Sequence, residues 1–399
     1  MLALYLSPIY IILNAYLLLR MIRWMGACHH ICEHPVVRVG FIILYILLAT
    51  SLLTGFLLPE GELKRICKLI GNYWLGVLLY TSLTVLTADL LRILLNINPR
   101  IRQNPILHTR TFFAIAGGIC AVIIITLSTW GVVNARIIHT TPYNVTVHKS
   151  AGTLSSLNVV LVADLHMGYN IGKDHISNMV QKINAQNPDL VVIAGDIFDN
   201  EYESLKDPEE LESILRGIQS KYGVYACYGN HDIEEKILAG FTFDMKNQEK
   251  ASDPRMDEFL EKANIRLLRD EGILVDNSFY LFGRADASRP GKDINSRKTP
   301  AEITADMDKR KPILVIDHQP KELSELSAAG VDLDLCGHTH DGQMFPGNLT
   351  VRLMWENSCG YLPKDNMHNI VTSGVGIFGP NMRIGTKAEI CPIHITFEP

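Results

Sequence analysis

The chain has 399 residues, 47% of them hydrophobic and 20% charged. That suggests more than one structural unit and excludes disorder, collagen and a disulfide-stapled miniprotein. The formal charge of −5 conceals a split, net +7 over residues 1–140 and net −12 over 141–399; the acidic part matches nucleic-acid backbones poorly, and the basic, apolar part reads as membrane.

Four apolar stretches, at about 2–19, 40–58, 70–91 and 112–133, are each long enough to cross roughly 30 Å of hydrocarbon. The first does not read as a convincing signal peptide, because no Lys or Arg precedes it and no small-residue cleavage site follows. Arg20, Arg23 and Arg38 follow span one, and Arg92, Arg100, Arg102 and Arg110 follow span three. The segment after span two mixes Glu60 and Glu62 with Lys64, Arg65 and Lys68. This bias puts the first and third connections in the cytoplasm and everything after span four outside it. Asp89 is expected to pair with Arg92 at helical spacing. Cys28, His29, His30, Cys32 and His34 are metal-capable, but their spacing fits no known site. Cysteines outside the cytoplasm could pair, although no pairing is legible. Leu- and Ile-rich span interiors read as an anchor, not a transport path.

From about residue 142 the pattern changes. Strands are expected at 157–163, 190–194, 224–228, 273–282, 312–316, 331–336, 370–372 and 390–397. Helices are expected at 174–185, 208–219, 301–309 and 321–329. This alternation predicts an α/β sandwich with sheets inside and helices outside (αββα). The division is therefore a four-helix transmembrane region over 1–140 and an α/β domain over 141–399.

Polar clusters end five of the predicted strands. They are Asp164-Leu165-His166, Gly195-Asp196-Ile197-Phe198-Asp199, Gly229-Asn230-His231-Asp232, Asp317-His318-Gln319-Pro320 and Gly337-His338-Thr339-His340. In α/β sheets, ligands bind outside the carboxyl ends of the strands. Asp164, His166, Asp196, Asn230, His318, His338 and His340 thus offer seven oxygen and nitrogen metal ligands to one rim.

This ordered set resembles the calcineurin-like metallophosphoesterase superfamily, with its D-x-H, G-D-x-x-D, G-N-H-[DE], lone His and G-H-x-H motifs. The likeness covers about residues 155–395. Gly342-Gln343, Gly374-Val375-Gly376 and Arg383 are similar to the bacterial membrane-associated branch, which includes transmembrane members. That branch commonly has Gly where this chain has Asp341. The resemblance implies that Asp164, His166 and His340 hold one metal, that Asn230, His318 and His338 hold a second, and that Asp196 bridges them. Mixed nitrogen and oxygen ligation suits Mn, Fe, Co, Ni or Zn. A hydroxide bridging the metals would attack phosphorus in line, and His231 would protonate the leaving oxygen or stabilise the transition state. Asp199 and Asp232 would orient the imidazoles, unless they simply cap their loops. Two loops could select substrate, 241–255 and 286–298; the second carries Arg289, Lys292 and Arg297.

The expected function is an integral-membrane phosphoesterase acting on a phosphoester of a lipid or cell-envelope precursor. Three alternatives are a metal-binding sensor or scaffold without turnover, a nucleotide-sugar pyrophosphatase-like hydrolase, and a transporter with an appended domain. The sequence leaves the native metals, the substrate and the oligomeric state open.

Overall fold

The computed structural model describes residues 2–233, 237–238, 241–242, 252–291, 294 and 296–398. The chain forms two compact units. One holds residues 1–133, 237–244 and 379–382, and the other holds 134–236, 245–378 and 383–399.

The first unit is helical. It contains α1 (Leu2–Cys28), α2 (Pro35–Leu57), α3 (Glu62–Leu95), the single turn α4 (Pro99–Arg102) and α5 (Arg110–Asn134). Helices α1, α2, α3 and α5 are long and apolar enough to cross a membrane, and the four expected spans fall on them. Polar side chains tie them together where hydrocarbon could not satisfy them. Tyr45 donates to Oδ1 of Asn14 at 3.1 Å, Tyr10 to the Ala49 carbonyl at 2.7 Å and Trp74 to the Tyr10 hydroxyl at 3.3 Å. The expected Asp89–Arg92 pair is not what forms. Asp89 on α3 instead takes Arg20 and Tyr16 of α1, because partners on a neighbouring helix can satisfy its two oxygens separately.

His29 and His34 cap helices. Their Nδ1 atoms accept from Ile31 and Val36 N–H at 3.2 and 3.4 Å, which gives part of the Cys/His cluster a local structural use. All eight cysteines are free thiols.

The second unit is the α/β domain. In chain order it runs through β1 (Ile138–Thr140), β2 (Tyr143–Val147), β3 (Ser156–Val162), α6 (Lys173–Asn184), β4 (Leu190–Ala194), α7 (Pro208–Arg216) and β5 (Val224–Cys227). The hairpin β6 (Ile237–Leu238) and β7 (Phe241–Thr242) follows and groups with the helical unit. Then come α8 (Pro254–Lys262), β8 (Ile265–Leu267), β9 (Glu271–Val275), β10 (Phe279–Gly283), α9 (Pro300–Thr304), β11 (Ile313–Ile316), α10 (Leu323–Ala329) and β12 (Leu333–Cys336). The chain ends with α11 (Gly347–Met354), β13 (Gly360–Lys364), β14 (Met367–Val371) and β15 (Ala388–Phe397).

One sheet has the order β1-β15-β3-β4-β5-β8, with β2 also paired to β15, and the other β13-β14-β12-β11-β10-β9. The expected αββα sandwich is present, and the two-residue strand period builds it. Leu157, Val159 and Leu161 of β3 join Leu190 and Val192 of β4 and Leu314 and Ile316 of β11 in the core between the sheets. Val160, Val162, Val191 and Ile193 point the other way and pack with Ile176 and Met179 of α6 and Leu211 of α7. Ile313 and Val315 bury against Leu323 and Leu326 of α10. Strands buried on both faces read as continuous apolar runs, which is why they were legible. Strands β3, β4 and β5 are mutually parallel, as are β11, β12 and β14. Their carboxyl ends therefore collect polar loops at one edge of each sheet.

Candidate metal centre

Each predicted ligand sits within four residues of a strand end. Asp164 and His166 follow β3, Asp196 follows β4, Asn230 and His231 follow β5, His318 follows β11, and His338 and His340 follow β12. The turns are tight. Asp164, His166, Asp196, His338 and His340 all adopt left-handed backbone, with φ between +45° and +75°. Such conformations cost about 1–2 kcal/mol for non-glycine residues and concentrate at functional sites. Gly229 lets β5's loop approach closely, since a Cβ there would lie 2.6 Å from Asp196 N and 2.8 Å from His318 Cδ2. Asp341, in the position where the resembled branch commonly has Gly, also has positive φ (+49°), which Asp tolerates better than most residues.

Three donor groups form among the described residues, two from the predicted ligands and a third from His166, Asp199 and His231. Asp164, His166 and His340 converge, as do Asp196, His318 and His338, with the ligand atoms of each trio within 4.8 Å of one another. In the first, His166 Nε2 and His340 Nε2 are 3.0 Å apart, and Asp164 Oδ1 lies 3.7 Å from His340 Nε2. Burial holds both imidazoles neutral, His166 down at about 3 and His340 well below its usual value. Burial also pushes the Asp164 carboxyl up to about 7. Converging imidazoles and a carboxylate short of positive charge fit a divalent cation. In the second cluster, His318 Nε2 lies 3.2 Å from both Asn230 Oδ1 and His338 Nδ1. His318 Nδ1–H donates to the Ala194 carbonyl at 2.8 Å, linking the ends of β11 and β4 and aiming Nε2 inward. Burial opposes charge on His318, but Asp196 outweighs it and holds the imidazole well above its usual range. The cluster thus calls for positive charge, which a proton or a cation can supply. Asp196 Oδ2 faces both sets, 3.1 Å from His318 Nε2 and 3.7 Å from His166 Nε2.

His231 stands beside both clusters. Its backbone N–H donates to Asp196 Oδ1 at 2.8 Å, and its Nδ1–H donates to Asn200 Oδ1 at 2.9 Å. Phe378 lies against the ring at 4.5 Å between centroids. Burial lowers the His231 pKa.

Asp199 approaches His166 Nδ1 at 3.9 Å. Asp232 serves the backbone, where its oxygens accept from Ile197, Phe198 and Gly229 N–H at 2.7–2.8 Å. Sequence reasoning missed Asn200, which directly follows Asp199 in the second motif but meets His231 only through the fold. We propose that Asn200 orients His231, and expect Asn200→Leu to leave metal content unchanged and to lower phosphoester turnover by about the 10–100-fold that follows loss of a partner orienting a metal-bound imidazole; a steady-state assay beside elemental analysis checks this.

Arg383 is fully buried, donates to the Ser373 and Gly376 carbonyls at 2.7 Å, and brings Nη2 to 3.3 Å from His340 Nδ1. In the second candidate substrate loop, Arg289 donates to the Asn230 carbonyl at 3.0 Å, whereas Arg297 is engaged by Asp317 and Glu322 at 3.0 and 2.5 Å. Lys292 and most of the 241–255 loop lie outside the described residues.

A family model described as calcineurin-like phosphoesterase matches residues 157–342. An uncharacterized metallophosphoesterase of Campylobacter jejuni is 28% identical over 241 residues, covering 60% of this chain and 59% of that protein. A transmembrane protein with metallophosphoesterase domain from Danio rerio is 29% identical over 276 residues, covering 67% of this chain and 60% of that protein. The chain thus spans about three fifths of the length of these two relatives. The UDP-2,3-diacylglucosamine pyrophosphatase of Chlamydia trachomatis is 22% identical over 308 residues, covering 66% of this chain and 91% of that protein. Residues 157–342 of the α/β unit thus match the calcineurin-like phosphoesterase family and gather its motif residues at the strand ends.

Proposed function

We propose that this chain is a membrane-anchored, metal-dependent phosphoesterase. The observation that carries the reading is Asp196, whose Oδ2 lies within 3.7 Å of imidazoles from both donor clusters. Asp164, His166 and His340 would hold one divalent cation, Asn230, His318 and His338 a second, and Asp196 would serve both. When bound, two such cations polarise phosphoryl oxygens and provide a nucleophile from water at neutral pH.

The chain's own residues do the rest. Asp196 fixes the His231 backbone through its other oxygen. Asn200 fixes the ring with hydrogen on Nδ1, so that Nε2, once it has taken up a proton from solvent as substrate binds, can pass it to the departing oxygen. Burial keeps this imidazole neutral at rest, and an anionic phosphoester beside it favours the charged form. Phe378 covers His166 and His231 and limits water around them.

The substrate we infer is a phosphoester of a lipid or envelope precursor. Four candidate spans hold the α/β unit near a bilayer, and similarity to a pyrophosphatase acting on UDP-2,3-diacylglucosamine fits an amphipathic substrate. Full-length protein in vesicles, supplied with divalent metal, tests this against lipid phosphomonoesters, phosphodiesters, nucleotide-sugar lipids and soluble nucleotides. The lipid-linked esters should turn over fastest; a clear preference for soluble nucleotides would overturn the substrate class.

The arginines after spans one and three support an α/β unit on the non-cytoplasmic side. Protease added to sealed right-side-out vesicles should digest that unit and spare the first connection. A fully protected α/β unit would reverse the orientation.

A further inference from the structure

The helix α11 has no buried residue. Leu353 is 89% exposed, Met354 75%, Leu349 50% and Phe345, just ahead of the helix, 47%. Leu349 and Leu353 are one helical turn apart and share a face. The other large apolar side chains exposed on the described part of the α/β unit, Ile137, Leu274 and Tyr361, are separate from this stretch in sequence. An apolar helix left in water marks an interaction surface.

Two observations say what covers it. The first is its place relative to the chain's exit from α5. Only residues 135–137 separate α5 from β1, a connection that spans roughly 10 Å when extended. Asn134, the last residue of α5, donates through Nδ2 to the carbonyls of Arg383 and Thr386 at 3.0 and 2.9 Å. The same turn pairs with the segment leading into α11, where Phe345 N–H donates to the Ile384 carbonyl at 2.8 Å and Ile384 N–H to the Gln343 carbonyl at 3.1 Å. The helix therefore starts one hydrogen-bonded neighbour from the turn that holds the end of a candidate membrane span. The second observation is charge. The helix carries no acidic residue, although the unit around it is strongly acidic, and its single cation, Arg352, lies 4.0 Å from Asp341 Oδ1, so it presents an apolar face free of net negative charge, which suits a phospholipid surface.

The helix also borders the site. His340 lies in the turn that packs against it, and Trp355, directly after it, meets the His338 ring at 5.2 Å between centroids.

We propose that α11 is an interfacial helix. Leu349, Leu353 and Met354 enter the acyl region of the bilayer, and the rim formed by His338 and His340 faces the lipid headgroups. A lipid phosphoester then reaches the site without leaving the membrane plane. This use of the helix rests on the phosphoesterase reading; its contact with lipid does not.

The test uses full-length protein in vesicles of phosphatidylcholine and phosphatidylglycerol, doped with a phosphatidylcholine carrying a diazirine on its acyl chain. After irradiation, labelled peptides are mapped by mass spectrometry. Labelling is expected in 345–354 as well as in the four spans. The double variant Leu349→Asp, Leu353→Asp should lose the label in that segment, keep it in the spans and melt as the parent does. Labelled spans with an unlabelled 345–354 segment would overturn the proposal. So would cross-links from this segment to a second copy of the chain in place of lipid. Hydrolysis of bis(p-nitrophenyl) phosphate by the same vesicles separates the two readings. Turnover without the label refutes the interfacial helix, whereas the label without turnover in metal-supplied protein refutes the enzyme and leaves the lipid contact standing.

Discussion

Asp196→Asn should lose bound metal and turnover together. The carboxylate is buried, and its two oxygens have different duties, one accepting from His231 N–H and one facing His166 and His318. An amide keeps the shape and can still accept from His231. It removes the negative charge and can turn an N–H₂ donor toward imidazole nitrogens that must present lone pairs to a cation. Asn also tolerates the positive φ found here, so the fold should survive and the melting profile in chelator should match the parent. The loss of activity should exceed the roughly 10–100-fold that follows removal of a ligand's partner. Elemental analysis on purified protein decides it. A variant that retains two metals and normal turnover would remove Asp196 from the bridging position.

His231→Ala should leave the metals in place and slow the reaction according to the leaving group. The side chain is held by Asn200 and shielded by Phe378, and although it groups with His166 and Asp199 it belongs to neither the Asp164 nor the Asp196 trio. General acid catalysis typically contributes about 10²–10⁴-fold. An alkyl ester, whose leaving oxygen is strongly basic, should lose most of that factor. An activated aryl ester should lose much less, because its phenolate departs without a proton. Equal losses on both, with full metal content, would make His231 an electrostatic or positioning group.

The strand ends explain how much of this site was readable. Apolar runs such as 190–194 are buried on both faces, so they stand out. The residue types that follow them carry the chemistry wherever the loops run. Asn200 was not readable, because its partnership with His231 depends on the loops after β4 and β5 closing on each other. Asp89 misled for a related reason. Helical spacing offered Arg92, but Arg20 and Tyr16 come from another helix. Strands β1 and β2 were missed because they are short and depend on β15 for pairing. Helix α11 has no buried face, so no core-facing period announced it. The helix expected at 301–309 stops at Thr304, showing that a polar stretch fixes a helix start, here through the Thr299–Glu302 capping box, better than its end.

Hydrolysis should require two divalent cations held by these seven side chains. Full-length protein in detergent, stripped with chelator and dialysed, should be inactive toward bis(p-nitrophenyl) phosphate. Titration with Mn²⁺, followed by activity and by bound metal together, should restore turnover that levels off at two ions per chain. Full turnover in the stripped protein, or saturation of activity with no metal retained, would overturn the two-metal assignment.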